Sequence, residues 1–457
     1  MSSFIAKLIA ATWNRAISRS RQVRRENGLN LGAVVIDGQP AKAQMTLGLQ
    51  KRREHMVIVG RTGTGKTSFM LHACAEDVKA QRGFIFLALH GDVIPFVLSV
   101  IASLELSTRQ DFSEQLIVID PTDPEFSVGL NMLEGEGEGG AARIAEQVTE
   151  ILRVRWHLDH FGARTEELLR NVLYVLALLG YTLLEVSPFL TQDTFRAACL
   201  KKLPDSEVKE YFEWRYNKAS EAMRRVMNEP ILNKISAFTT TSFRHIVGQP
   251  ASTFSLRQAM DDGKWILVNL DKGFLGEHAL TFGGLFLTII KNSLFARKKH
   301  DLFTVYCDEV QNFVSSAGNL ETILAEARKY GVGMMTAQQF LDQIPPEMRA
   351  AILAVGTHGF FQLSSLDAMH VSTALDGGKA LAERLKNLRQ RHMIVKTGHE
   401  RWREVVIPTL RQPAVNFADL YNRSRSYWAR PREGIDRMIS KRFAEIYKSN
   451  NEALNGW

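Results

Sequence analysis

The chain has 457 residues, 45% of them hydrophobic and 23% charged, which is globular composition with enough apolar material for more than one core and argues for two or three domains. Three widely spaced cysteines, Cys74, Cys199 and Cys307, exclude a disulfide framework or a paired-cysteine metal site and suit a reducing interior, and no uncharged run reaches the roughly 20 residues that span a bilayer. The formal charge is +8, and residues 1–53 alone hold ten bases against two acids, so the remainder is near neutral and the basic end is the part suited to phosphate-rich partners.

Residues 1–30 read as one basic helix, with Phe4, Ile5, Leu8, Ile9 and Trp13 at helical spacing and Gly28 as its stop. Two short β-prone pieces around Asp37-Gly38 follow, Ala33–Ile36 and Met45–Leu47, as a small N-terminal β element. From Met56 the pattern becomes apolar runs separated by helical stretches, the mark of a parallel sheet buried on both faces. The runs are Met56–Val59, Phe84–Leu89, Leu116–Ile119, Trp265–Asn269, Phe303–Cys307, Met334–Ala337 and Phe360–Leu363. Between Ala141 and about Ser242 the sequence is helical throughout, as an all-α insertion; a hairpin is expected at Met393–Lys396 and Glu404–Ile407, and the last forty residues form a mixed-charge helical tail.

Directly after the first apolar run come Gly60, Arg61, Thr62, Gly63, Thr64, Gly65, Lys66, Thr67 and Ser68. A triphosphate needs many backbone N–H groups crowded around it, which glycines permit, and a helix N-terminus aimed at the same point. This loop therefore predicts an ATP site in which Lys66 reaches the β- and γ-phosphates and Thr67 offers its hydroxyl to Mg²⁺. The run Phe303–Cys307 ends in Asp308 and Glu309, placing one carboxylate to orient Mg²⁺ and a second, beyond the strand, to polarise the attacking water. After the next run, Gln339 is a candidate to sense the γ-phosphate or hold that water, with Gln338 as its rival. Arg328, on a helix expected over Glu321–Tyr330, has Leu324 and Ala325 at its preceding helical contacts and no acidic partner there. It either reaches a neighbouring subunit's phosphate or faces water.

Further along, His90-Gly91-Asp92, Val118 to Asp123 with Gly129-Leu130-Asn131, Val268 to Gly273, and Glu326 to Gly333 occur in an order that resembles the FtsK and HerA superfamily of ring ATPases, and within it the conjugative coupling proteins of type IV secretion, TraD/TraG-like. The resemblance covers about residues 50–415. It implies an α/β, RecA-like P-loop NTPase with a mostly parallel central sheet, an inserted all-α domain and a small N-terminal helix/β element. The expected division is 1–50 for the N-terminal element, 51–140 with 243–415 for the motor, 141–242 for the insertion and 416–457 for the tail.

The same resemblance implies a homo-oligomer, a hexameric ring, hydrolysing ATP with Mg²⁺ to move DNA through its pore in conjugation, DNA mobilisation or defence. Secretion-channel, relaxase or defence proteins are the implied partners. Membrane-anchored coupling proteins begin with transmembrane helices and this sequence shows none, so the expectation is a cytoplasmic protein or one peripheral at the inner face of a membrane. The alternative is an ATP-gated oligomeric platform or secretion ATPase acting on protein partners. His90 and Asp92 receive no chemistry from the sequence.

Overall fold

The computed structural model describes residues 28–454 except 136, 156–161, 240–241, 314–316, 342–343 and 345. The expected basic helix over 1–30 lies, up to residue 27, outside the described residues. The centre is an 11-stranded sheet built from β1 (Leu29–Ile36), β2 (Gln39–Leu47), β3 (Met56–Val59), β4 (Phe84–Ala88), β5 (Leu116–Ile119), β7 (Trp265–Asn269), β8 (Phe303–Asp308), β9 (Val332–Gln338), β10 (Thr357–Phe360), β11 (His392–Thr397) and β12 (Arg403–Val406). Its order is β2-β1-β12-β11-β10-β3-β9-β8-β4-β7-β5, and every pair from β10 to β5 is parallel while the hairpins β11–β12 and β1–β2 close one side antiparallel. This is a P-loop NTPase sheet. The N-terminal hairpin is not a separate element: β1 pairs with β12, Ala33 opposite Val406.

The apolar runs alternate between two cores because side chains alternate across a strand. Met56, Ile58, Phe84, Phe86, Tyr306 and Trp265 pack on one face against α1 (Lys66–Lys79) and α2 (Val93–Thr108). Val57, Val59, Ile85, Leu87, Val305 and Val268 point to the other face. There they share a single cluster with α3 (Gly137–Arg155), α4 (Ala163–Leu178), α5 (Glu221–Thr239) and α6 (Glu277–Phe295). Among the described residues, the segment between α3 and α5 consists of helices joined by short turns and holds no strand, with a π-helical turn at Tyr211–Tyr216. The helix before β9 is shorter than its sequence suggests: α7 (Ala317–Glu326) gives way to a 3₁₀ turn, Ala327–Tyr330, closed by Gly331 at φ 72°.

The C-terminal tail is interrupted. Between α8 (Ala418–Trp428) and α9 (Arg432–Leu454), β13 (Ala429–Pro431) pairs with β6 (Phe126–Val128). Arg425 bridges Asp123 at 3.4 Å, and Arg442 reaches the fully buried Glu185 at 2.7 Å, so the tail ties the outer edge of the sheet to the helical segment.

One polar cluster interrupts the core under α1. Asp77 accepts from Arg52 Nη1 and Nη2, both at 2.6 Å, from Tyr306 Oη at 2.6 Å and from Arg82 Nη1 at 3.1 Å. Arg52 also donates to Thr304 Oγ1 at 3.0 Å. The cluster fastens the helix behind the glycine loop to the strand that ends in Asp308.

Candidate nucleotide site

The loop Gly60–Gly65 leaves β3 and enters α1 with Gly63 at φ 77° and Gly65 at φ 119°, backbone that side chains rarely adopt. A Cβ at Gly60 would sit 2.5 Å from Phe361 Cβ. The loop is held from outside: Gly60 N–H donates to Gln338 O at 3.1 Å and Arg61 N–H to Gln362 O at 2.9 Å. Thr64 Oγ1 and Lys66 Nζ both donate to Arg61 O, at 2.7 and 3.1 Å. Among the described residues no acceptor pairs with the N–H groups of Thr62, Gly63, Thr64 and Gly65. Four free amides, a lysine and a helix N-terminus make an anion cradle.

Across the loop stands β8. Thr67 Oγ1 donates to Asp308 Oδ2 at 2.9 Å, so the hydroxyl and carboxylate proposed for a divalent cation are adjacent, and Asp308 is almost fully buried. Burial pushes its carboxyl up, opposed by the Thr67 hydroxyl and the charges of His90 and Lys66. Burial likewise pulls the Lys66 ammonium down, opposed by Asp308 and Glu309. A bound cation with a triphosphate fits this donor set, because it supplies the charge partner that each buried group lacks in full.

Glu309 lies just beyond the strand in left-handed backbone, φ 51° and ψ 51°. That conformation is uncommon for a side chain of this size and turns the carboxylate off the line of β8. Gln339 Nε2 donates to Glu309 Oε1 at 2.7 Å and Asn312 Nδ2 to Oε2 at 2.8 Å. The two glutamines therefore separate. Gln339 joins the cavity; Gln338 is wholly buried, with neither polar side-chain atom partnered among the described residues.

Thr62, Gly63, Gly65, Lys66, Thr67, Ser68, His90, Asp308, Glu309 and Gln339 line one cavity of about 390 Å³. Arg328 does not. It precedes β9, at the sheet edge opposite the loop, where its guanidinium is 62% exposed and lies 3.2 Å from Glu54 Oε1. The expectation concerned only its own helix; the acidic partner it has comes from the turn before β3, which counting along that helix does not reach. Sequence reasoning also missed Asn312, Gln390, Arg391 and Ile407 to Leu410, the last six lining the cavity from the β11–β12 hairpin. Only the topology brings them there.

Three of the motifs that carried the resemblance follow the C-terminal ends of their strands, on the edge that bears the loop, while Glu326 to Gly333 lies at the opposite edge, leading into β9. His90 lines the cavity; a Cβ at Gly91 would come within 2.7 Å of Asp271 Oδ2, which would have to turn aside; Asn269 Nδ2 donates to Asp120 Oδ1 at 2.9 Å. No helix among the described residues is long and apolar enough to cross a membrane.

No protein-family model matches the chain, and no curated protein sequence matches it. Solved structures do. The plasmid coupling protein TrwB in complex with ADP and Mg²⁺ superposes with a TM-score of 0.60 at 16% identity, over 87% of this chain and 94% of that one. TrwB with the GTP analogue GDPNP gives 0.59 at 15%, over 88% and 94%. VirB4 of Thermoanaerobacter pseudethanolicus gives 0.52 at 13%, over 84% and 97%. The chain has the fold of these proteins across nearly its whole length.

Proposed function

We propose that this protein is an ATP-hydrolysing ring motor of the coupling-protein kind that moves DNA, acting in conjugation, DNA mobilisation or defence. The observation that carries the hydrolytic part is the convergence, on one cavity, of a free-amide loop with Lys66, the Thr67–Asp308 pair, and a Glu309 carboxylate held by Gln339 and Asn312. The loop amides and Lys66 bind the β- and γ-phosphates, and Thr67 and Asp308 hold Mg²⁺. The cation, when bound, neutralises charge on the phosphates. Glu309 takes a proton from the attacking water, and Gln339 and Asn312 fix the carboxylate's direction.

The motor part is supported by a fold shared with TrwB, described as a conjugative coupling protein and solved with nucleotides. The basic stretch within residues 1–53 suits a phosphate backbone, whose contacts carry no base information. In such a ring Arg328 serves only in trans, since it lies at the far edge of the sheet from its own loop. The test is ATP hydrolysis by the full-length chain with and without single- and double-stranded DNA at low salt. Several-fold stimulation is expected. An assembled, hydrolysing oligomer that neither binds nor responds to DNA would overturn the motor reading in favour of protein partners.

A further inference from the structure

Arg328 is mounted on a fixed backbone. It stands on the 3₁₀ turn Ala327–Tyr330, whose first residue is wholly buried, and Gly331 N–H donates back to Arg328 O at 3.1 Å. Gly331 has no room for a side chain, since a Cβ would lie 2.2 Å from His300 O. The Arg328 side chain, in contrast, runs out to solvent and is 62% exposed. An arginine so exposed samples many rotamers, and stilling it costs up to about thirtyfold in an equilibrium.

What limits that freedom is Glu54. Its side chain is only 18% exposed and is engaged on both oxygens: Oε1 lies 3.2 Å from Arg328 Nη1, and Lys51 Nζ donates to Oε2 at 3.0 Å. The backbone beneath is tied to the sheet, because Gly356 N–H, just before β10, donates to Glu54 O at 2.7 Å. A Cβ at Gly356 would come within 2.4 Å of Glu54 Cβ, so a side chain there would displace the carboxylate. Among the described residues no second acid pairs with the Arg328 guanidinium.

We propose that Glu54 is a positioning residue for Arg328: it holds one guanidinium nitrogen and so presents the rest of the fork, already ordered, to the nucleotide of the next subunit. The inference rests on Arg328 acting in trans. Magnitude decides between this role and that of a restraint. An ion pair with one exposed partner is worth no more than about fivefold in an equilibrium, too little to keep an arginine from a triphosphate carrying several charges. It does offset part of the ordering cost, and a guanidinium has five N–H donors, so one contact to Glu54 leaves others for phosphate. The surface beside the pair admits a neighbour: Glu54 and Arg328 line a groove of about 680 Å³ whose walls include the small side chains of Ala325, Ala350, Ala351 and Ala354.

The test is ATP turnover by the assembled oligomer of the full-length chain, with assembly followed by sedimentation velocity. Arg328→Ala should slow turnover by about a hundredfold or more. Glu54→Gln, the same shape without the charge, should slow it about fivefold and leave KM for ATP within about twofold, because Glu54 precedes β3 whereas the glycine loop follows it. Glu54→Asp, which keeps the charge, should lose less than Glu54→Gln. Adding Glu54→Gln to Arg328→Ala should change turnover by no more than about twofold, since a positioning residue has no effect once its target is gone, whereas a purely structural role would lower turnover equally in both backgrounds. Turnover in Glu54→Gln equal to or faster than that of the unmodified oligomer would overturn the proposal. So would a loss that follows dissociation of the oligomer, or one that persists in full without Arg328. Failure of the underlying reading is distinguishable: if Arg328→Ala leaves the oligomer's turnover unchanged, the arginine is not in use and Glu54 has nothing to position.

Discussion

Replacing Asp77 by Asn isolates the cluster under α1. The substitution keeps the side chain's shape and removes its charge, leaving Arg52, itself almost fully buried, without its bidentate carboxylate. Breaking a buried pair from one side costs about 3–5 kcal/mol, because the remaining charge stays in the interior unpaired. Tyr306→Phe deletes one hydrogen bond to the carboxylate and strands no charge, so about 1.5–3 kcal/mol is expected. The double change Arg52→Met with Asp77→Leu should cost less than Asp77→Asn, since the bidentate Arg52 charge is gone and only Arg82, which reaches Asp77 by one 3.1 Å contact, loses that carboxylate. Burial alone would push the Asp77 carboxyl up, but Arg52, Arg82 and Tyr306 outweigh it and hold the group below its usual range. Its stabilisation is therefore present above the unfolded carboxylate pKa and is lost as pH falls through the folded one. Urea unfolding at pH 7, followed by far-UV circular dichroism, gives the ranking from midpoints at constant slope. An Asp77→Asn protein within about 1 kcal/mol of the unmodified chain, or a double variant weaker than Asp77→Asn, would refute the reasoning.

Glu309→Gln should keep ATP affinity and slow hydrolysis roughly 10²–10⁴-fold, whereas Lys66→Ala should lose binding; equal loss of binding in both would count against these roles. Gln339→Ala should lower turnover with little effect on affinity, and Gln338→Ala should act on stability instead, as separate binding and turnover assays would show. Burial pulls His55 and His358 down to about 4 each, so both stay neutral in the fold while the unfolded chain protonates near 6.5. Stability should be full above that value and fall by about 2 kcal/mol per histidine by pH 5, and His358→Gln should flatten a plot of urea midpoint against pH. Mixing Arg328→Ala with Lys66→Ala subunits should restore some hydrolysis if Arg328 acts in trans; no recovery in rings shown to be mixed would refute it.

The parallel strands were legible because each is a short apolar run with a core on both faces, Met56–Val59 and Leu116–Ile119 being the clearest. β10 was displaced. The run Phe360–Leu363 attracts the assignment, but the paired residues are Thr357–Phe360, where His358 bonds to Leu353 O and stacks on Phe360, while Phe361 lies beyond the strand under the glycine loop. β6 and β13 are three residues each, with Pro431 in one, and leave no periodic signal. At the site, Lys66, Thr67, Asp308 and Glu309 could be named because chemistry fixes residue type next to a strand end. Gln390 and Arg391 could not, because a main-chain bond from Arg391 to Thr64 depends on where β11 returns. The Arg328–Glu54 pair was hidden for the same reason.

The strand order also governs how the protein can be made. β3 ends at Val59, and leaves the ribosome long before its two neighbours in the sheet, β9 and β10, which begin at Val332 and Thr357. At ordinary rates of synthesis the glycine loop and its strand wait on the order of tens of seconds with both edges unpaired. Parallel pairing across such a separation is slow once it becomes possible. During that interval the nascent chain can complete neither the cradle nor the pair between Thr67 and Asp308, and a chain stopped short of β9 presents an unpaired, wholly apolar strand. Vectorial synthesis thus delays this nucleotide pocket until β9 and β10 have been made, and leaves β3 in need of shelter until then.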